Sequence, residues 1–334
     1  MATEDSNIGQ VDFDAEAAAD QSRIPEEYRT EDIVEEHQTA WQQFVEGLLN
    51  DKKALIGAFV VLVFFTVAAF APVLAPYNPD TNYQLRQPPN SYSTGQFDTD
   101  AAQDRVWHPL GTNSFGHDIL SRIIFGARVS LVVAFATMLL AFSVGTSIGI
   151  VAAYYGGWVD DLLMRFVDFQ WAFPELILAV GIIAYVGGRG IWNVVLAIGI
   201  AYIDDFARLI RGEVLSLREQ EFVRAAEAVG MADIRVMAKE ILPNALAPLI
   251  VQATILIPLA ILAEASLSFL GLGVSPTTPT WGIMINTGQQ YITTAWWISV
   301  FPGFAIAITV LGFNLFGDGL RDIFDVEEEE IENR

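Results

Sequence analysis

The sequence contains no cysteine, three histidines and three lysines. Without thiols there is no disulfide, thiolate metal site or cysteine nucleophile. The histidines (His37, His108 and His117) all fall outside the long apolar runs, which leaves little for a catalytic metal, and no cofactor is implied. A phosphate-cradling nucleotide loop needs a Gly-Lys pair followed by Ser or Thr. None of Lys52, Lys53 and Lys239 follows a glycine, so ATP hydrolysis by that route is excluded. Charge is scarce too: 17% of residues are charged and 53% are apolar, against roughly 25% charged in a typical soluble domain. Mean hydropathy is +0.40. So few charges cannot cover that much apolar surface in water, and most of the 334 residues are expected in lipid.

The net charge of −22 is a property of the ends. Residues 1–50 carry 13 acidic and two basic side chains, and residues 318–334 carry eight and two, so 17 of the surplus negative charges lie in the tails. A nucleic-acid partner needs clustered Lys and Arg and is disfavoured. The tails read either as docking arms for a basic partner or as solvated surface suited to a salt-rich cytoplasm. Ile33–Leu49, with Trp41, Phe44 and Leu48, has amphipathic character that fits a membrane surface.

Between the tails lie six apolar stretches: Ala54–Ala75, Ser130–Tyr154, Leu163–Val186, Trp192–Arg211, Pro243–Gly273 and Ala295–Phe316. About 20 apolar residues cross ~30 Å of hydrocarbon as a helix. Six spans place both termini on one side. Lys52 and Lys53 before the first span, and Arg208, Arg211, Arg218, Arg224, Arg235 and Lys239 around the loop after the fourth, assign that side to the cytoplasm. Ala141, Gly145, Gly149 and Ala153 recur every four residues on the second span, as expected for close helix packing in lipid. Glu264 lies midway along the fifth span, where a charge is expensive; it reads as a translocation-path contact or, in preference, as a brace bonded to Ser266, Ser268 or a partner.

The most informative segment is the 204–243 loop. EFVRAAEAVG (221–230) predicts a short helix over 219–229, ended by Gly230 in the left-handed region, with Leu242 and Pro243 opening the next span. Two alanines, a glycine four residues after the second, and a Leu-Pro pair ending thirteen residues beyond that glycine resemble the EAA loop of ABC-importer permeases. Five further blocks resemble the C-type permease of dipeptide and oligopeptide (nickel) importers: FVEGLLNDKKALIGAFVVL (44–62), HPLGTNSFGHDILSRIIFGARVSL (108–131), AYYGGWVDDLLMRFVD (153–168), LAEASLSFLGLGV (262–274) and NLFGDGLRD (314–322). The sequence departs from that pattern at Arg224, at Glu240, at Ile203-Asp204-Asp205 in place of Trp-Pro-Gly, and at Asn113 and His117.

The resemblance implies an all-α membrane protein with the six-helix type I ABC-importer permease fold. It implies four regions: an acidic cytoplasmic tail (1–50), a first helix with an extracellular loop (51–128), a core of five helices containing the EAA loop (129–320), and an acidic tail (321–334). It also implies coupling through Glu221, Phe222, Val223, Arg224, Ala225, Ala226, Gly230, Leu242 and Pro243 to two separate ATP-binding subunits. The remaining implied partners are a second permease in a heterodimer and an extracellular solute-binding lipoprotein. Nickel or another metal chelate and oligosaccharides are alternative cargoes. An ion-coupled carrier would need several deep acids or broken helices, and Glu264 alone is convincingly deep.

Overall fold

A computed structural model describes residues 47–49, 51–94 and 105–332, with side chains to 323. The first acidic tail and most of the amphipathic Ile33–Leu49 stretch lie outside the described residues. The chain runs through α1 (Lys52–Ala69), α2 (Ala71–Leu74), β1 (Ser91–Ser93), β2 (Val106–His108), α3 (Ile119–Tyr155), α4 (Gly157–Trp171), α5 (Glu175–Val186) and α6 (Ile191–Ala201). It continues through α7 (Ile203–Leu217), α8 (Glu221–Ala228), α9 (Asp233–Val236), a π-helical turn (Met237–Ile241), α10 (Leu242–Asn244), α11 (Leu246–Phe269), α12 (Trp281–Gln289) and α13 (Trp297–Glu332).

Among the described residues, α1, α3, α11 and the Trp297–Ile323 part of α13 are each long and apolar enough to cross a membrane. The other two expected spans are not straight helices. Leu163–Val186 is divided between α4 and α5, which bend by 94° where Pro174 interrupts the chain. Counted as one broken span, the pair makes five. Trp192–Arg211 is divided at Tyr202: α6 is an apolar helix of 11 residues, and α7 begins with Asp204 and Asp205 in its first turn. At 1.5 Å per residue α6 alone covers roughly 16 Å, about half of the hydrocarbon. The second span is longer than expected, beginning at Ile119 rather than Ser130.

Packing follows small residues. On α3, Ala141, Gly145, Gly149 and Ala153 are all buried. A Cβ on Gly149 would collide with the Ala207 carbonyl oxygen and the Ile210 side chain, and one on Gly145 with Phe206 and the Ile203 carbonyl, so these glycines let α7 lie directly on α3. Gly57 makes the same kind of approach to the α13 backbone at Phe316.

The described part of the polar loop before α3 carries regular structure. The antiparallel pair β1–β2 sets Ser91 opposite His108 and Ser93 opposite Val106. Ser93 Oγ is 2.7 Å from His108 Nε2, and His108 Nδ1 is 2.8 Å from Asp118 Oδ1. The second Asp118 oxygen caps α3 by accepting from Ser121 N and Oγ, each at 2.8 Å. The rings of Tyr77 and Tyr83 pack edge-on against His108. This Ser–His–Asp series is sealed, with Ser93 2% exposed and the other two 0%, so no substrate reaches the hydroxyl. It is a latch holding the loop to the start of α3. Nearby, His117 Nδ1 accepts from Arg122 Nη1 at 3.1 Å, and Arg122 also donates to the Pro79 carbonyl.

Two outcomes are expected. Gly149→Val drives a branched side chain into the α7 backbone and lowers stability by roughly 1–3 kcal/mol, read as a fall in the melting temperature of the detergent-solubilised chain. Burial, and then the Arg122 guanidinium, push His117 down to about 4, with Asp80 opposing. The native state therefore keeps a neutral imidazole while the unfolded chain protonates near 6.5. This contribution is complete above pH ~6.5 and is lost as pH falls from there through about 4. A melting curve taken across that window should drop more steeply for the wild type than for His117→Asn.

Candidate functional site

The expected 204–243 loop is helical up to Leu217, where α7 packs on α3, and the segment after it, with α8, α9 and the π-helical turn, forms the tip. Helix α8 spans Glu221–Ala228, within the predicted 219–229. It ends in a Schellman motif: Gly230 has φ +80°, its amide donates to the Glu227 carbonyl, and the Met231 amide donates to the Ala226 carbonyl. Nothing crowds the Gly230 Cβ position, so glycine is required there by backbone conformation alone.

The helix divides its residues between two faces. Val223 (0% exposed) and Ala226 (8%) sit three apart and pack inward with Val236 and Ile241 in the core. Glu221, Phe222, Arg224 and Ala225 are exposed, as are Val229 and Ile234 beyond the helix. Only Ala225 of the alanine pair is thus presented outward, and Val223 is not available for apolar contact with another surface. Phe222, Val229 and Ile234 make the exposed tip apolar in a segment otherwise rich in charge.

The return to the membrane differs from the expected clean start at Leu242–Pro243. Pro243 has no amide to donate, and the chain around it is a π-helical turn followed by the three-residue α10; the long helix α11 starts only at Leu246. Asn244 Nδ2 donates to the Glu240 carbonyl at 2.6 Å, closing this irregular turn. Leu242 is half-buried and Pro243 exposed.

The tip is tied to the bundle by polar contacts that sequence reasoning did not find. Tyr154, at the end of α3, donates through Oη to Glu227 Oε1 at 3.1 Å and lies 3.5 Å from Asp233 Oδ1. Arg218 Nη1 donates to the Ala153 carbonyl, and its guanidinium lies 5.9 Å from the Tyr154 ring centroid. Two turns earlier on α7, Arg211 makes a two-pronged pair with Asp160 at 2.7 and 2.6 Å. Arg208 pairs with Asp168 at 3.1 Å and stacks 4.4 Å from the Trp171 ring centroid. An aromatic hydroxyl at a helix end has no recognisable spacing to an acid 73 residues away; the density of Arg in α7 was the signal available.

Glu264 is remote from this tip. It is 0% exposed and accepts from Ser268 Oγ at 2.6 Å through Oε1, while Oε2 has no hydrogen-bond partner. Ser266 instead bonds back to the Leu262 carbonyl. Ser268 lies one turn along α11 itself, so this bond stays within one helix.

The chain is similar to known proteins over most of its length. Residues 145–326 match the family described as binding-protein-dependent transport system inner membrane component, and residues 39–89 match the N-terminal transmembrane domain of oligopeptide transport permease C. A dipeptide transport system permease protein of Alkalihalophilus pseudofirmus is 42% identical over 85% of this chain and 89% of its own length. A glutathione transport system permease protein of Pectobacterium atrosepticum is 37% identical over 86% and 91%. Among solved structures, an inward-facing MetNI methionine ABC transporter chain aligns with a TM-score of 0.51 at 19% identity, covering 61% of this chain and 97% of that one, which shows the shared fold.

Tyr154→Phe should loosen the tip without disturbing α3. Removing one hydrogen bond worth about 1 kcal/mol should speed amide exchange at residues 225–233 roughly fivefold, measured by hydrogen–deuterium exchange.

Proposed function

Because this chain belongs to the binding-protein-dependent transport system inner membrane component family, we propose that it is the C-type permease subunit of an ATP-driven importer of dipeptides and oligopeptides. It forms half of a translocation pathway with a second permease subunit as a heterodimer. Two ATP-binding subunits dock on the cytoplasmic tip, and an extracellular solute-binding lipoprotein delivers the cargo. Both termini are cytoplasmic, so the basic loop containing α8 faces the ATPases and the Ser93–His108–Asp118 latch faces outside, in accord with the Lys and Arg distribution. The peptide cargo rests on the dipeptide and glutathione relatives.

The observation that carries the coupling assignment is the two-sidedness of α8. Its inner face is fixed to the bundle through Val223, Ala226 and the Tyr154–Glu227 bond, and its outer face offers Phe222, Ala225 and Val229 unpartnered within the described residues. A helix rigidly held on one side and apolar on the other suits transmission of force. Closure of the ATPases on ATP draws the two permeases' tips together and turns the pathway outward; hydrolysis resets it, an alternating-access cycle. Glu221 and Arg224 supply the charged rim of the docking face. Gly230, Leu242 and Pro243 shape the turns that hold it.

Two variants of the assembled complex test this. Ala225→Trp adds bulk on the docking face and Gly230→Val imposes an unfavourable left-handed φ on a branched residue. Both should insert normally and lower peptide uptake and transport-stimulated ATP turnover by about tenfold or more, measured in proteoliposomes. Retention of both activities in either variant would refute the coupling role.

A further inference from the structure

The α4–α5 bend lies beside the one-residue interruption between α6 and α7 at Tyr202. Where α4 turns into α5, and where α6 turns into α7, a cavity of about 260 Å³ is lined by Gln170, Trp171, Phe173, Glu175, Ala201 and Asp204, among others. Its polar groups are acceptors. Asp204 is 5% exposed, and its Oδ1 takes the Gln170 amide hydrogen at 3.1 Å. Gln170 is itself 6% exposed, and with its NH2 group committed to Asp204 its Oε1 is left without any partner. A buried amide oxygen with no donor costs free energy unless something supplies one.

The charges around the cavity do not balance. Asp204, Asp205 and Glu175 lie within electrostatic reach of one another and of Tyr202. The neighbouring cation is Arg208, whose Nη2 is held by Asp168 and whose plane lies on Trp171. All three carboxylates occupy the first turn of a helix, α5 or α7. Each helix N-terminus offers about half a positive charge, so the two together offset roughly one of the three. Two of these carboxylates, Asp204 and Glu175, line the cavity, and Gln170 Oε1 there has no donor.

We propose that this cavity binds a protonated primary amine, the charged end of a transported peptide, through the carboxylates of Asp204 and Glu175 and the free Oε1 of Gln170. An ammonium group has three donors and one positive charge, which meets the three acceptors and the two carboxylates together. A bare metal ion fits poorly. Among the described residues no group of three or more His, Asp or Glu is arranged to hold one. The volume is also about nine times a water molecule's ~30 Å³ share of the liquid, room for the amine and the atoms attached to it. The exposed Trp171 and Phe173 flank the cavity and would cover the apolar part of such a ligand. The proposal rests on the reading of the chain as a peptide-importer permease.

The test is a binding titration on the assembled complex, in the absence of ATP and at constant ionic strength. Emission from Trp171, isolated as the difference between wild type and Trp171→Phe, is followed against glycinamide, N-acetylglycinamide and KCl. Asp204→Asn keeps an oxygen to accept from Gln170 and Glu175→Gln changes an exposed residue, so both should fold. Glycinamide should give a saturable change that weakens at least tenfold in each variant, and the acetylated probe should give none. No response to glycinamide, equal responses to both probes, unaltered binding in the variants, or saturation by KCl alone would each overturn the proposal. The readout needs no transport, so its failure leaves the importer reading standing. Absence of peptide uptake by the wild-type complex would refute the importer reading independently.

Discussion

The close contact between α3 and α7 is the constraint on which the rest of the structure depends. In lipid, helices gain little from hiding apolar side chains from one another, so the backbones must approach until dispersion and local polar contacts suffice. Gly145 and Gly149 permit that approach, and Phe206, Ala207 and Ile210 fill the seam from the other side. Because α7 lies on α3, its basic residues reach partners at fixed places: Arg211 at Asp160, Arg208 at Asp168, and Arg218 at the Ala153 carbonyl. The tip that α7 leads into therefore has a defined position against the end of α3, where Tyr154 secures it.

Helix α3 joins two polar constructions. Its 37 residues extend for roughly 55 Å, well beyond the ~30 Å of hydrocarbon. At one end Asp118 both caps the helix and holds His108; at the other, Tyr154 grips the α8 tip through Glu227. One continuous helix thus links the two anchored constructions directly.

Much of this was legible in the sequence because its signals are local. The apolar runs, the Arg-rich loop and the small-residue stripe each reflect spacing along one helix, and α8 fell within its predicted limits because alanine propensity and Gly230 act within a single turn. What was not legible depends on partners distant in the chain. The unbroken third and fourth spans were read from composition, which does not register that a 94° bend at Pro174 and a break at Tyr202 lie side by side. The inward turn of Val223 and Ala226 required knowing which face of α8 meets the bundle. The latch joins Ser93, His108 and Asp118 through strand register and a helix cap, neither of which leaves a spacing signature.

The departures at Asp204 and Asp205 carry the remaining step. At the start of α7 this chain places two acids in the first turn, and Asp204 reaches the cavity at the α4–α5 bend. A helix N-terminus tolerates an acid because its amides are unpaired, which is why these residues do not disrupt folding. Tolerance does not account for two such acids, Glu175 and Asp204, lining one cavity beside an unpaired amide oxygen. Broken helices in a membrane expose backbone and polar side chains only where protein or water covers them. The α4–α5 bend, with two lining acids and an unpaired amide oxygen, is where the proposed amine would sit.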